Sequence, residues 1–212
     1  MKEKYRDGRN WENFNIAKFD SEGKYDIPII HPCEIDITAK DDFKGFAARN
    51  KVTHDTVLHF FLDDYMFECI WRRPYLYLDL FMKSKAVLSP DFSTYLDFPK
   101  AMQIYNTFKR HWLAAYWQSY GVNVIPTIRW GYEDSFDWCF DGEPKNSTIA
   151  ISTVGLSNSK ENKRLFLQGY EEMQKRLSPS KILWYGTVYE ECQSDNIINF
   201  KPFTDKFKGA KP

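Results

Sequence analysis

The sequence lacks long apolar runs and lacks an excess of charge of either sign. No stretch approaches the roughly 18 consecutive apolar residues that a membrane-spanning helix requires, and the first six residues are mostly charged with no apolar run behind them. We therefore expect neither a membrane span nor a secretory signal. The 29 Lys and Arg residues are balanced by 29 Asp and Glu residues, and this neutrality disfavours a nucleic-acid partner, whose usual footprint is a basic excess.

Several common catalytic signatures are also missing. The chain contains no glycine-rich phosphate loop, no Gly-x-Ser-x-Gly elbow, no His-Glu-x-x-His pair and no Cys-x-x-Cys pair. These absences argue against the commonest NTPases, dinucleotide-dependent enzymes, α/β hydrolases and zinc proteases. The four cysteines, at positions 33, 69, 139 and 192, are widely spaced. Such spacing fits reduced, mostly buried thiols in an intracellular protein better than zinc ligation or a disulfide framework.

Aromatic side chains are abundant, at 17% of the 212 residues, together with 27% charged residues. This composition is typical of one folded domain and not of a disordered chain. Residues 1–26 are mostly polar and rich in turn-forming residues, which predicts an N-terminal arm. Residues 27–203 are expected to form a single α/β domain, followed by a C-terminal tail over residues 204–212.

From residue 27 onward, short apolar runs alternate with longer amphipathic stretches, which is the pattern of strands followed by helices. The runs lie at residues 27–30, 57–62, 86–88, 122–128, 148–151, 182–184 and 197–200. Because most of them are apolar on nearly both faces, we expect a mostly parallel sheet of about six to seven strands. The predicted fold class is α/β, and an incomplete or irregular TIM-like (β/α) barrel is one form that it could take.

Two amphipathic helices are predicted between these strands. One begins at Pro99 and carries apolar residues at steps of three and four until Gly121. The other begins at Asn158 and ends before Pro179. Both show the 3.6-residue period of a helix with one buried face. Residues 41–51 form a weaker helix candidate.

Polar or ionisable residues follow nearly every predicted strand, whereas ordinary turn residues precede the strands. In a parallel sheet with right-handed crossovers the C-terminal ends of the strands share one edge, and α/β proteins build their sites at that edge. We therefore predict a site there. The candidate catalytic residues are Asp91, Glu133, Asp64 and His31, and the candidate ligand-binding residues are Arg129, Trp130, Ser93, Thr153 and Tyr185.

These residue types suit a small polar ligand. Carboxylates from Asp64, Asp91 and Glu133 could act as acid and base on a sugar, or could bind a divalent metal ion as a cofactor. Arg129 offers two N–H donors to a phosphate or carboxylate. Trp130 offers a flat surface on which a sugar ring or a base can stack.

Structural roles compete with these functional ones. Asp64 and Ser93 follow strands, where such residues commonly cap the next helix. A lone histidine such as His31 is more often structural than catalytic. Arg110, within the first long helix, is expected to be solvated or salt-bridged.

Four motifs resemble a family of unknown function that is found in bacteriophages and in mobile elements of Gram-positive bacteria. They are LSPDFS at residues 88–93, VIPTIRW at 124–130, STVG at 152–155 and YG at 185–186. The resemblance covers about residues 55–190. It implies a phage or prophage protein in the cytoplasm of the bacterial host, but it brings no established activity and no catalytic residue.

Two functions are consistent with these sequence features. The first is a small-ligand or catalytic site at the strand ends, for a sugar, a nucleotide or a phosphate-bearing compound. The alternative is a phage factor that binds a host or defence protein and inhibits or redirects it without catalysis. The expected partner is thus a small molecule or a host protein, with membranes and nucleic acid disfavoured.

Overall fold

The computed structural model of the protein describes residue 13, residues 17–156 and residues 159–202. Most of the arm predicted over residues 1–26, and the whole tail predicted over residues 204–212, lie outside the described residues. The described part of the arm contributes strand β1, Ser21–Glu22, which pairs antiparallel with strand β2, Ile27–Pro28.

The apolar run at residues 27–30 therefore does not belong to the main sheet, and the prediction that it does is wrong. A turn containing Gly23, whose φ of +76° lies in the left-handed region that favours glycine, lets the chain fold back on itself. The run is buried against the helix of residues 100–119, where Nδ1 of His111 lies 2.9 Å from the carbonyl oxygen of Pro28. A short run that is buried by a neighbouring helix has the same apolar pattern as a strand of the sheet, and the sequence alone does not distinguish the two.

Seven parallel strands form the centre of the described structure. They are β3 (Asp42–Gly45), β4 (Thr56–His59), β5 (Ala86–Leu88), β6 (Val124–Ile125), β7 (Thr148–Ser152), β8 (Lys181–Tyr185) and β9 (Ile197–Phe200). One ladder has the order β3-β4-β5-β6 and the other the order β7-β8-β9. A bridge between Thr127 and Ala150 links them. The prediction of an α/β fold with a mostly parallel sheet is confirmed.

Strand β3 replaces the weak helix predicted over residues 41–51. Asp42–Gly45 pairs in register with Thr56–His59, and only the second half of the segment is helical, as the 3-10 helix Phe46–Lys51. Phe43 packs against the core that lies beneath the strands. Pairing with β4 and burial of Phe43 outweigh a weak local preference for helix.

Side chains from all seven strands meet in one apolar cluster, which is the inner core of the sheet. It includes Val57, Leu88, Ile125, Ala150, Leu183 and Phe200, with Phe43 and Ile198 packed against it. The rings of Phe43 on β3 and Phe200 on β9 stack with centroids 4.2 Å apart. The first and last strands thus approach through side chains, but no main-chain ladder joins them within the described residues. The TIM-like barrel is therefore not confirmed.

Four α-helices are present among the described residues: α1 (Cys69–Arg72), α2 (Leu78–Lys83), α3 (Lys100–Ser119) and α4 (Lys160–Leu177). Short 3-10 helices lie at Phe46–Lys51, Asp64–Met66, Glu133–Asp137 and Glu190–Cys192. The two long helices are the two predicted ones. Helix α4 begins one residue after Ser159, whose side chain caps it by accepting a hydrogen bond from the main-chain N–H of Asn162. Asn158, the predicted start, lies outside the described residues.

Two further apolar clusters each contain side chains of one long helix. Helix α3 connects β5 to β6 and packs with Phe60, Phe81 and Phe92. Helix α4 connects β7 to β8 and packs with Trp184 and other side chains of the second ladder. Among the helices of the described segments, none combines the length and the apolar character needed to cross a membrane.

Candidate functional site

Two hydrogen bonds tie the C-terminal ends of β5 and β6 together. The main-chain N–H of Thr127 donates to Oγ of Ser89 at 2.7 Å, and Oγ1 of Thr127 donates to the carbonyl oxygen of Ser89 at 2.7 Å. Both residues are buried. Because the chain continues from this point into residues 90–94 and 128–131, the tie sets the position of two loops that carry candidate residues.

A cavity of about 240 Å³ opens at this edge, beside the ends of β6 and β7 and the first two turns of α4. Its lining comes from four segments of the chain. The lining residues are Thr94, Tyr95, Leu96, Asp97, Ile128, Arg129, Trp130, Gly131, Ile151, Ser152, Gly155, Leu156, Asn162, Leu165 and Phe166. The walls are mostly apolar, with a few polar groups, which is the usual make-up of a small-molecule site.

Arg129 is the cationic side chain in this wall. Its Nη1 lies 3.3 Å from Oδ2 of Asp91, and the Arg129 side chain is 22% exposed while that of Asp91 is 9% exposed. Burial raises the pKa of the Asp91 carboxyl above its usual value, and the nearby Arg129 and Arg110 guanidinium groups oppose that rise. The cation of this pair therefore faces the cavity, and the carboxylate lies behind it.

Arg110 and Glu143 extend the charged cluster into the interior. Arg110 is fully buried, and its Nη2 lies 3.9 Å from Oε1 of Glu143, whose side chain is also fully buried. Burial lowers the pKa of Arg110, while the charges of Glu143 and Asp91 act in the opposite direction. The expectation of a solvated Arg110 is therefore wrong, and a salt-bridged arginine is correct. We refer to Asp91, Arg110, Arg129 and Glu143 as the buried charge cluster.

The described protein offers no hydrogen-bond partner to the side chains of Arg110 and Glu143, the interior part of this cluster. Nε2 of His111 lies 2.9 Å from Oε1 of Glu143, but neither atom has a hydrogen-bond partner in the described protein. The buried atoms without a hydrogen-bond partner in the described protein include Oδ1 of Asp91, all three guanidinium nitrogens of Arg110 and both carboxylate oxygens of Glu143. These groups interact through electrostatic attraction over distances longer than a hydrogen bond. The cost of burying their charges is therefore offset only while the two cations are balanced by the two carboxylates.

Asp64 and Ser93 stabilise the loop that follows β5. The Asp64 carboxylate accepts a hydrogen bond from Oγ of Ser93 at 2.8 Å and another from its main-chain N–H. Nδ2 of Asn106, on α3, donates to the carbonyl oxygen of Ser93. Both candidates are therefore near Asp91, but their polar atoms are used to position the loop that leads to Thr94 in the cavity wall.

Trp130 forms a wall of the cavity and packs on helix α4. Its ring lies 5.1 Å from that of Phe166, and it occupies a notch over Gly169. The notch exists because glycine has no Cβ. The predicted pair Arg129 and Trp130 is thus placed at one cavity, with the cation and the indole in adjacent positions of the chain.

Two candidate residues lie away from this edge or outside the cavity. His31 exchanges two hydrogen bonds with the side chain of Gln118 near the end of α3. The nearby Cys33 N–H donates to Ser147, which directly precedes β7, so His31 lies at the N-terminal edge of the sheet. Glu133 begins a 3-10 helix and lines a separate exposed groove beside α4. The expectation that these two residues join Asp91 is wrong.

Tyr185, the last residue of β8, and Thr153, the residue after β7, lie at the C-terminal edge of the sheet but do not line the cavity. Tyr185 is buried in an aromatic cluster, where its ring lies 5.2 Å from Phe61 and 4.7 Å from His59. Oγ1 of Thr153 donates to the carbonyl oxygen of Thr187 and receives a hydrogen bond from Trp184. The last side chain of β7, Ser152, lines the cavity instead. Consecutive side chains of a strand point to opposite faces of the sheet. The sequence pattern does not show which of two adjacent residues at a strand end faces the cavity.

The predicted carboxylates do not form a metal site. In the segments that the structure describes, no group of three or more His, Cys, Asp or Glu side chains is placed to hold a metal ion. Asp91 is paired with Arg129, Asp64 with Ser93, and Glu133 lies in a different groove. The divalent cation suggested from the sequence therefore has no ligand set here.

Sequence reasoning missed several cavity residues, namely Thr94, Tyr95, Asp97, Asn162 and Phe166. The first three lie only one to four residues beyond the LSPDFS motif. Asn162 and Phe166 lie in the first two turns of the helix that follows β7. A helix that follows a parallel strand begins at the C-terminal edge of the sheet. Applied to the helix after β7, this rule would have pointed to Asn162 and Phe166.

The chain is thus a parallel α/β protein with a strand-end cavity, and comparison with known proteins assigns its family. The model of the domain of unknown function DUF4417 matches residues 19–203, so the chain belongs to this family. The Gene 1 protein of Mycobacterium phage L5 is 41% identical over 175 residues, which cover 80% of this chain and 75% of that protein. The Gene 1 protein of Mycobacterium phage D29 is 38% identical over 192 residues, which cover 87% and 68%.

These matches confirm the family that the motifs indicated, and both relatives are phage proteins. No solved structure matches the chain.

Proposed function

We propose that this phage-family protein binds a small anionic ligand in the strand-end cavity, with Arg129 as the main contact to the anion. The observation that carries the proposal is the position of Arg129, a partly exposed guanidinium in an otherwise mostly apolar wall. Hydrogen bonds from a charged donor to an anion are about twice as strong as neutral ones. An apolar surrounding strengthens them further, because it lowers the local dielectric constant.

The buried charge cluster supports this role for Arg129. Asp91 has two cations near it, Arg129 on the cavity side and Arg110 on the interior side. When Arg129 turns toward a ligand, Asp91 keeps Arg110 as a counter-ion. An arginine paired to a single buried carboxylate would leave an uncompensated charge on moving, at a cost of about 3–5 kcal/mol. Asp91 is therefore a positioning residue for Arg129 in this proposal.

The N-terminal end of helix α4 also favours an anion in the cavity. Its first turn contributes Asn162 to the wall, and the N-terminal end of a helix carries a partial positive charge that favours nearby anions. The proposal places the ligand among the small molecules of the bacterial cytoplasm.

Thermal unfolding in the presence of small anions tests the proposal. The panel comprises inorganic phosphate, benzoate, ribose 5-phosphate and nucleoside monophosphates. A ligand at 100 times its Kd stabilises the folded state by about 2.7 kcal/mol, which raises the unfolding temperature by several degrees. We expect at least one anion to produce this rise, and Arg129→Gln to weaken its binding about ten- to hundredfold.

Two variants make the readout specific. Arg164→Gln removes an arginine of the same helix region that is paired with Glu161 and does not line the cavity, so binding should be unchanged. Arg129→Lys keeps the charge but loses the two-pronged donor geometry, so it should bind with intermediate affinity. If no anion stabilises the protein in an Arg129-dependent way, the proposal is wrong. Recovery of one specific host protein from a lysate, unaffected by Arg129→Gln, would then favour a protein-binding function.

A further inference from the structure

We propose that the ligand of the strand-end cavity is a nucleoside monophosphate, an inference that rests on the proposed function and adds the class of ligand to it. The floor of the cavity is aliphatic and aromatic, formed by Ile128, Ile151, Leu165 and Phe166. Trp130 stands beside this floor. Flat aromatic rings stack well on such surfaces, and every nucleobase has a π-face for stacking.

The same walls disfavour a bare sugar phosphate. Each hydroxyl of a sugar ring needs a hydrogen-bond partner when it leaves water, and burying one without a partner costs about 1–3 kcal/mol. Ile128, Ile151 and Leu165 have no polar side-chain atom to offer. A sugar with three or four free hydroxyls would therefore lose more than it gains on this floor, whereas a base can lay its face on the floor and direct the polar atoms of its edge elsewhere.

The polar groups of the cavity match the remaining parts of a nucleotide. Arg129 supplies donors for the phosphate. Thr94 lines the wall, and its buried Oγ1 has no hydrogen-bond partner in the described protein, so a rotation of this side chain toward the ligand would bond a polar atom of the base or the phosphate and break no existing bond. Asp97 is exposed on the rim, where its carboxylate can accept hydrogen bonds from the ribose hydroxyls, as acidic residues do in nucleotide sites.

The size of the cavity limits the ligand further. A volume of about 240 Å³ lies just below the range of roughly 300–1,000 Å³ that is usual for small-molecule sites. This volume accommodates a base and a phosphate with the ribose at the open rim, and it is too small for a dinucleotide. Tyr95, which is 53% exposed on the rim, is placed to stack on the edge of the base that extends out of the cavity.

Isothermal titration calorimetry of the full chain distinguishes the classes of ligand. The probes are AMP and UMP, the matching nucleosides, ribose 5-phosphate and inorganic phosphate. We expect at least one monophosphate to bind ten times more tightly than its nucleoside and than ribose 5-phosphate. Tyr95→Ala should weaken binding of the monophosphate about tenfold and leave that of ribose 5-phosphate unchanged. Tyr65→Ala, a control at a tyrosine that is 80% exposed outside the cavity, should change neither.

Each other result overturns a defined part of the proposal. If ribose 5-phosphate or phosphate binds as tightly as the monophosphates, and Arg129→Gln abolishes that binding, the nucleotide class is wrong while the proposed anion site stands. If a nucleoside binds as tightly as its monophosphate, or if no probe binds in an Arg129-dependent way, both are wrong. Because Tyr95 is exposed, its replacement leaves the core intact, and circular dichroism checks the fold of each variant.

Discussion

Gly169 of helix α4 and Trp130 of the cavity wall are packed so closely that only glycine fits. A Cβ placed on Gly169 would lie 2.1 Å from Cδ1 and 2.2 Å from Nε1 of the Trp130 ring. Atoms of real side chains do not approach to such distances, and the indole is too rigid to avoid the clash by a small movement. The position of the helix and the position of the cavity wall therefore depend on each other through this one contact.

Gly169→Ala should destabilise the protein, in contrast to the usual effect of this substitution. Within a helix, alanine is favoured over glycine by about 1 kcal/mol. Here the new methyl group must displace the Trp130 ring, and such overpacking typically costs about 1–3 kcal/mol. We expect a lower free energy of unfolding in urea and weaker ligand binding, because the displaced ring narrows the cavity.

A double variant separates the two effects. In a Trp130→Ala background the clash is absent, so adding Gly169→Ala should recover up to about 1 kcal/mol of helix stability. If Gly169→Ala has the same effect with and without Trp130, the contact does not determine the stability and the interpretation fails.

Glu143→Gln should be one of the more destabilising single changes in the chain. It leaves the fully buried Arg110 without its carboxylate at 3.9 Å, and an uncompensated buried charge costs about 3–5 kcal/mol. Urea unfolding at neutral pH measures this loss. Glu172→Gln provides the matched control, because Glu172 pairs with Arg176 near the surface, where such pairs contribute little.

Removing the charges of both Arg110 and Glu143 should restore part of the free energy of unfolding that Glu143→Gln loses. The double variant with Arg110→Met and Glu143→Gln no longer contains the unpaired cation, and apolar replacements of buried pairs are often nearly neutral. A double variant that is as unstable as the sum of the single ones would show that Arg110 and Glu143 act independently.

Most of the sheet could be predicted from the sequence because its strands are short and almost entirely apolar. The run at residues 86–88 and the run at residues 197–200 coincide with β5 and β9. Strand β3 could not be predicted, since Asp42–Gly45 contains an aspartate, a lysine and a glycine. It is a strand because β4 pairs with it and because Phe43 reaches the inner core, and both causes lie in distant parts of the chain.

The candidate site was predictable in location but only partly in composition. Arg129 and Trp130 follow β6 and line the cavity. Their location was predictable because the C-terminal ends of parallel strands meet at one edge whatever their side chains are. Tyr185 obeys the same rule but faces the inner aromatic cluster, since the direction of a side chain depends on the pleat of the strand. The sequence leaves open whether Arg110 is solvated or salt-bridged, because the pattern of α3 does not reveal that Asp91 and Glu143 lie near its charge.

His59 should make the folded state sensitive to acid. The ring is buried at the end of β4, where Nδ1 accepts a hydrogen bond from the main-chain N–H of Phe61 at 3.2 Å. Burial lowers the pKa of His59 to about 3, from 6.5. The unfolded chain therefore binds a proton that the folded chain rejects, so stability is full above pH 6.5 and is lost as the pH falls toward 3, by up to roughly 4 kcal/mol.

His59→Asn tests this assignment, because the amide oxygen can accept the same hydrogen bond but does not titrate. The variant should be less stable than the natural protein at pH 7, since it fills the aromatic cluster less well. Its free energy of unfolding should nevertheless fall less between pH 7 and pH 4. Equal slopes for the two proteins in urea titrations over this range would mean that another group causes the acid sensitivity.

Thr127→Val should weaken the tie between the ends of β5 and β6 without changing the volume of the core. Valine has the shape of threonine but lacks the hydroxyl that donates to the carbonyl oxygen of Ser89 at 2.7 Å. Leaving a buried carbonyl without a partner costs about 1–3 kcal/mol, and urea unfolding should show this loss with an unchanged m-value. Because residues 128–131 follow directly and line the cavity, the variant should also bind the ligand more weakly. A variant with unaltered stability and affinity would show that the main-chain N–H bond of Thr127 to Ser89 is sufficient to hold the two strand ends together.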